Sequence, residues 1–287
     1  MALGTDVHAR KGIGAAILVA GAVALSGAAC GGAVRASLVA DRSVVTAGET
    51  FTVGVVFEID DGWHTYWRNP GDSGAPPRFT LTLPEGWEWD GMGSVEWPCP
   101  ERHELPGAIV DYVYHGRVAL LARVRVSESA RVGMAGEIRA EVEWLECDAD
   151  RCVPGDAAPA LRVMVGETSE EGEGSGFLEA QRLKTARAWE HGEVRAEWEG
   201  ETLTLRVGES GGGVERMEFF PYVEGETGLM PADDGKREWV SKGGVVRVGF
   251  DRDDVRNGGE VRGNLVVERA SGEREVWEVR ARAGGSN

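Results

Sequence analysis

Two cysteines five positions apart, Cys147 and Cys152 in WLECDADRCVPG, are the residues of this 287-residue chain whose type and spacing most directly offer chemistry. Such a pair can staple a turn, supply half of a metal site, or trade electrons as a dithiol. As a staple it would close a very short loop, worth only about 2 kcal/mol against nearly 5 for a loop of a hundred residues. As a zinc site it has an accepted cysteine spacing, but a second ligand pair is missing, and His103 and His115 do not form an H-x₃₋₅-H pattern. Copper held by Cys and His has no dedicated Met or His cluster behind it. The dithiol reading gains from the neighbouring charges. Glu146, Asp148 and Asp150 crowd Cys147 and disfavour its thiolate, whereas Arg151 adjoins Cys152 and favours that thiolate. Unequal sulfurs suit an exchange in which one attacks and the other resolves. The three readings stay open until the surroundings of the pair are considered.

The compartment comes from the N-terminus. Arg10 and Lys11 precede an uninterrupted apolar and small-residue run, Ile13 to Ala29. That run suits a signal peptide of residues 1–29 better than a membrane span, which needs about 20 apolar residues. Gly27-Ala28-Ala29-Cys30 resembles a lipoprotein cleavage box, with Cys30 the lipidated first mature residue; a plain cut after Val34-Arg35-Ala36 is the alternative, and an uncleaved anchor a third. No second apolar run of membrane length is present. Export permits disulfides. With Cys30 acylated or removed, Cys99, Cys147 and Cys152 remain, an odd number.

The formal net charge is −17, with pI near 4.8. Loss of the first 29 residues removes two cations and one anion, so the mature chain is one unit more acidic. Such a surface argues against nucleic acid and against charge-driven docking on anionic lipid. From Ser37 onward the apolar pattern has period two, in SLVADRSVVTAGETFTVGVVFEI, FTLTL (79–83), RVALLARVRV (117–126), GEIRAEVEWLEC (136–147) and ALRVMV (160–165). Turn clusters at Asn69-Pro70-Gly71, Pro84-Glu85-Gly86 and Pro154-Gly155-Asp156 separate these runs. The pattern predicts an all-β fold, an antiparallel β-sandwich over 37–166. GETSEEGEGSG (166–176) reads as an acidic linker. FLEAQRLKTARAW (177–189) predicts a short helix with Phe177, Leu178, Leu183, Ala186 and Trp189 on one face, so that 167–189 joins the sandwich to the C-terminal hundred or so residues. Period two returns there, over 190–287, as a second, smaller β domain. Six of the ten tryptophans and three of the five histidines lie between residues 63 and 144, which puts the site in the first domain.

Five stretches in order carry a family resemblance: DGWHTYWRNPGDSGAPP (61–77), LPEGW (83–87), EWPCPERHELPG (96–107), DYVYHGRVALLARV (111–124) and WLECDADRCVPG (144–155). Together they resemble the N-terminal periplasmic domain of the DsbD-type thiol:disulfide interchange proteins, in the branch that includes suppressor-of-copper-sensitivity proteins. The likeness covers roughly residues 38 to 165 and extends weakly to FFPY (219–222). It implies an immunoglobulin-like sandwich with a redox-active pair at Cys147 and Cys152, in which Cys152 forms the mixed disulfide. It implies no metal and no cofactor. It implies thioredoxin-like periplasmic partners and a separate membrane electron donor of the DsbD/CcdA type, since this chain carries no membrane domain of its own. A protective cap maps to Glu101–Pro106, including His103, Glu104, Leu105 and Pro106; His64, Tyr66 and Arg151 are further site-shaping candidates.

Cys99 stands where the family more usually has alanine, and is either a small buried residue or a third thiol near the pair. Trp63, Tyr66 and Trp67 read as packing or as walls of the site. The sequence therefore predicts an exported, periplasmic or lipid-anchored protein-disulfide reductase module, with cytochrome c biogenesis or copper tolerance as its setting. The rival is a non-enzymatic sandwich that binds protein and carries a structural disulfide.

Overall fold

The computed structural model describes residues 32–107, 109–199, 202–207, 214–222, 240–241, 245–249 and 260–284. The expected leader and Cys30 lie outside the described residues.

The first domain is an immunoglobulin-like β-sandwich. One sheet is the antiparallel ladder β1 (Val34–Ala40), β3 (Thr50–Ile59) and β8 (Arg117–Arg125). β3 and the middle of β8 are buried on both faces, which explains their near-continuous apolar runs. Phe51, Val53, Val55 and Phe57 enter the main core, with Val118, Leu120, Ala122 and Val124 opposite them. The other face, Val56, Ala119 and Leu121, is covered by Leu178 of helix α1 (Ser175–Arg182). A Cβ at Gly54 would lie 2.4 Å from the Leu178 side chain, so the helix needs a glycine there.

The facing sheet is built on β9 (Ala135–Cys147). One edge of β9 carries β5 (Arg78–Thr82), and the other carries β10 (Cys152–Ala157) and then β11 (Ala160–Val165). Cys152 faces Cys147, Ala157 faces Val142 and Ala160 faces Arg139, so one register persists through the break at Ala158-Pro159. β2 (Arg42–Val45) adds in parallel to β11, and β12 (Glu170–Glu171) closes that edge. Phe57 meets Trp144 edge-to-face across the two sheets at 5.7 Å.

A third, smaller antiparallel sheet orders β4 (Thr65–Gly71), β7 (Ile109–Tyr114) and β6 (Glu101–Leu105). Period two makes it two-faced. Tyr66 and Val113 pack with Cys147, while Trp67, Tyr112 and Tyr114 join the main core. On that second face lies the other β unit. Its strands are β13 (Arg187–Ala188), β14 (Val194–Glu199), β15 (Thr202–Val207), β16 (Val214–Pro221), β17 (Val240–Ser241), β18 (Val245–Gly249), β19 (Glu260–Arg269) and β20 (Arg274–Gly284). They form one sheet ordered β17-β16-β19-β20-β14-β15-β18, with β13 on β20. Trp67 lies 6.2 Å from Phe220 and 5.7 Å from Tyr222, ring centroid to ring centroid. Asn69 Nδ2 donates to the Pro221 carbonyl at 2.9 Å.

Three local expectations change. Pro154-Gly155-Asp156 is strand rather than turn; among the described residues β10 pairs only with β9, and an edge strand tolerates a proline that donates no hydrogen bond. The acidic stretch is bonded down rather than free: Gly172 N–H donates to the Asp41 carbonyl and Ser43 Oγ to that of Glu171, both at 2.9 Å. The helix ends at Arg182, so Leu183 is 76% exposed instead of facing inward.

Trp67 is fully buried between the two β units. Trp67→Ala is expected to cost about 3–5 kcal/mol, read as the fall in unfolding free energy in urea.

Candidate functional site

The cysteine pair closes the tip of the β9–β10 hairpin. Cys147 and Cys152 are register partners, their Cα atoms 4.1 Å apart, and they are joined as a disulfide. Between them, the Asp148 carboxylate accepts the amides of Asp150 at 2.8 Å and Arg151 at 2.9 Å, which fixes the turn. Cys147 is 1% exposed, whereas Cys152 is open to solvent. The buried sulfur is inside because Cys147 is also bridged on its other side: His64 N–H donates to the Cys147 carbonyl at 2.9 Å, and Cys147 N–H to that of His64 at 3.0 Å.

That bridge delivers β4 to the sulfurs. The Tyr66 hydroxyl donates to Cys147 Sγ at 3.0 Å and lies 3.9 Å from Cys152 Sγ. Burial, with the Asp111 carboxylate behind it, pushes the Tyr66 phenol above its ordinary pKa, so it remains a donor. The ring is held by the loop after β4. Ser73 N–H and Oγ donate to Asp111 at 2.9 and 2.6 Å, and Val110 N–H donates to Asp72 at 2.7 Å. Gly74 then passes over the ring at φ 78°; a Cβ there would lie 2.2 Å from Tyr66. Asp72, Ser73, Gly74 and Asp111 were not predicted as site residues. The first three form a DSG cluster in the sequence; Asp111, in DYVYHGRV, has no such local signal.

Three imidazoles gather beside the pair. His64 lies 5.2 Å from His103 and 5.8 Å from His115, and His103 lies 6.1 Å from His115. His64 Nε2 is 3.4 Å from the Tyr66 hydroxyl. Burial, reinforced by His103 and His115, pulls the His64 pKa from 6.5 to about 4, against a smaller opposing pull from Asp148. His115, whose Nδ1 lies 3.0 Å from the Trp63 carbonyl oxygen, was also missed, because it sits in the β7–β8 turn far from the cysteines in sequence. Among the described residues, no group of three or more His, Cys, Asp or Glu side chains is disposed to hold a metal ion.

The structure therefore brings Cys147, Cys152, Tyr66, His64 and His103 together. The rest of the expected cap behaves differently. Glu101–Leu105 is a strand paired to β7, and Cys152 is exposed, so the segment does not seal the pair. Glu104 turns to Arg102, Leu105 is half-buried, and Pro106 is exposed at the turn.

The charge argument also changes. Glu146 precedes Cys147 in a strand, so it faces the opposite side, where its carboxylate accepts Trp144 Nε1 at 3.0 Å. Arg151 pairs with Asp148 at 3.6 Å and stands 5.4 Å over the Trp63 ring. Exposure, more than neighbouring charge, makes the two sulfurs unequal. Cys99 belongs elsewhere: its N–H donates to the Lys184 carbonyl at 2.8 Å, it packs on the main core, and burial pushes its thiol up to about 12.

Residues 35–161 match the family model for the thiol:disulfide interchange protein DsbD, N-terminal. The N-terminal periplasmic domain of ScsB from Proteus mirabilis has a similar fold, with TM-score 0.59 and 16% identity over 88% of this chain and 94% of that one. A protein of unknown function from Porphyromonas gingivalis W83 also aligns, over 88% of this chain and 100% of that one, but with TM-score 0.25 and 10% identity it carries no argument. No curated protein sequence matches the chain.

The His64 shift gives a pH signature. Its folded pKa lies below its unfolded value, so the unfolded chain binds the proton more readily. Stability contributed by neutral His64 is complete above pH 6.5 and is lost as pH falls toward 4. The loss is expected to be roughly 2–3 kcal/mol in urea unfolding, and His64→Gln is expected to flatten it.

Proposed function

We propose that this DsbD N-terminal domain is an exported thiol:disulfide exchange module that passes electrons from a membrane-embedded donor of the DsbD/CcdA type to thioredoxin-like clients in the periplasm. The observation that carries the reading is the asymmetry of one disulfide: Cys152 open to solvent, Cys147 buried under the Tyr66 hydroxyl. An incoming protein can reach only one sulfur, and that sulfur is therefore the one that attacks.

The balanced sequence starts from the dithiol. Cys152 thiolate attacks a client disulfide, forming an S–S bond to one client sulfur and releasing the other, which takes up a proton. The Cys147 thiol then gives up its proton and attacks Cys152 Sγ. The mixed disulfide breaks, the second client thiol leaves, and Cys147–Cys152 is oxidised. Two electrons and the two protons of the dithiol end on the client. The Tyr66 O–H, already aimed at Cys147 Sγ, favours the thiolate that the resolving step requires. The membrane donor restores the dithiol by the same chemistry in reverse. No cofactor enters, because the electrons travel as thiols.

His64, whose Nε2 lies 3.4 Å from the Tyr66 hydroxyl, and His103 beside it flank the buried side of the pair. A neutral His64 keeps a positive charge out of the buried side of the site, and the Arg151 guanidinium marks its rim.

Cys147→Ser, which keeps the attacking sulfur and removes the resolving one, is expected to accumulate a mixed disulfide with an oxidised thioredoxin-like protein on non-reducing gels; Cys152→Ser is expected to accumulate none. The pair in the native protein is expected to equilibrate in glutathione buffers at a potential above about −300 mV. A pair that resists those buffers, and whose reduction unfolds the domain, would leave a stapled binding module instead.

A further inference from the structure

The strand that begins with the attacking cysteine has an open edge. Among the described residues β10 has β9 on one side and no strand on the other. Cys152, Val153, Pro154 and Asp156 are exposed along it, and Gly155 is half-buried. Val153, a large apolar side chain next to the attacking residue, is 37% exposed.

Which backbone groups face that open edge follows from Cys147. Its N–H and its carbonyl are both taken by His64, on the side away from β10. Cys147 and Cys152 therefore exchange no backbone hydrogen bond, and their Cα separation of 4.1 Å fits the narrow, non-bonded pair of an antiparallel ladder. Bonded and non-bonded pairs alternate along such a ladder. Val153 opposite Glu146 and Gly155 opposite Trp144 are bonded inward, while Cys152, Pro154 and Asp156 turn their backbone groups outward. Two further observations agree with this phase. Pro154 has no N–H to exchange in a bonded pair. The carbonyl of its partner Leu145 points away from β10 and accepts Thr65 Oγ1 at 3.0 Å. The open edge thus presents N–H groups at Cys152 and Asp156 and carbonyls at Cys152, Pro154 and Asp156.

We propose, on the strength of the exchange reading above, that an extended client segment beside its disulfide pairs with the open edge of β10 as an added strand and so delivers a sulfur to Cys152. The reaction fixes where the client must sit, since its sulfur has to reach Cys152 Sγ, and the open edge starts at that residue. Main-chain bonds give such a contact its affinity, so it makes few demands on client sequence. From Cys152 to Asp156 the edge runs about 13 Å, room for roughly five client residues. A second copy of this chain is the other natural occupant of an open edge, and β10 carries two devices against it. Pro154 removes the central donor, and Asp156 adds a carboxylate to a hairpin that already bears Asp148 and Asp150. A second copy would bring the same carboxylates on a molecule of net charge −17. A neutral or basic client segment meets no such repulsion.

The test compares two substitutions in the purified, reduced protein. Asp156→Pro removes one outward N–H and leaves the bonds to β9, and Pro154 already occupies the same phase. Asp156→Ala, which loses the carboxylate alone, is the reference. Oxidised thioredoxin is expected to be reduced about three- to tenfold more slowly by Asp156→Pro than by Asp156→Ala, the worth of one hydrogen bond. Both variants are expected to react at one rate with hydroxyethyl disulfide, which is too small to need a strand. Equal rates with thioredoxin overturn the docking. A second arm does not depend on how well Asp156→Pro folds. In Cys147→Ser joined to thioredoxin through Cys152, amide hydrogen exchange followed by NMR is expected to slow several-fold at Cys152 and Asp156. The inward-bonded amides of Val153 and Gly155 are expected to be slow with or without thioredoxin. Unchanged exchange at Asp156 in the joined protein overturns the docking and leaves the exchange reading standing. Failure to form the mixed disulfide overturns the exchange reading, and the docking with it.

Discussion

Two backbone hydrogen bonds between His64 and Cys147 hold the site together. Cys147 is the last residue of a strand whose register is set far away, in the sandwich core. His64 opens the strand of a different sheet, one that carries the tyrosine and the histidine wall. Joining them at a single residue pair puts Tyr66, two positions on and therefore on the same face, against the sulfur. A one-residue slip in β4 would turn Trp67 toward the cysteines and Tyr66 into the interface. The chemistry thus depends on a register that neither sheet could set alone.

The same alternation gives the second β unit a mechanical part in the site. Trp67 and Tyr112 leave the site sheet on the side away from the sulfurs and meet Phe220 and Tyr222. Arg102, adjacent to His103, reaches Glu218 at 3.4 Å. The small three-stranded sheet has the cysteines on one face and this unit on the other. A sheet of three short strands covered on one side only would hold its side chains loosely. Backing it with aromatic rings keeps Tyr66 at hydrogen-bond distance from a buried sulfur.

The sandwich was legible because its strands are long and alternate, and because β3 and β8 are so apolar that only strands buried on both faces fit them. The cysteine pair was legible from rarity and spacing. The remainder of the site was not, for identifiable reasons. His115 and Asp111 act from β7 and its turn, dozens of residues from the cysteines, and single histidines or aspartates in a turn-rich acidic chain carry no signal. Glu146 was misread because sequence adjacency was taken for spatial adjacency: in a strand, the neighbour of Cys147 is the residue that cannot face it. Pro154-Gly155 looked like a turn because both residues usually break strands, and only the edge position of β10 removes the conflict.

The energetics of the disulfide bear on what it is for. Closing six residues, Cys147 to Cys152, removes unfolded-state entropy worth only about 2 kcal/mol. The hairpin that it closes is already fixed by a continuous register from Ala157 to Cys152, by the Asp148 turn and by the His64 bridge. Reduction therefore releases little that other interactions do not already hold. A staple would gain most by joining distant segments of the chain, as the Glu146 carboxylate does when it binds amides 112 and 113 residues away. Here the long-range fastening is done by a buried carboxylate, and the cysteines are left at a tip where one sulfur meets solvent and the other meets a tyrosine proton. Such a bond can open and close while its frame stays still, and an exchange reaction requires that of its disulfide.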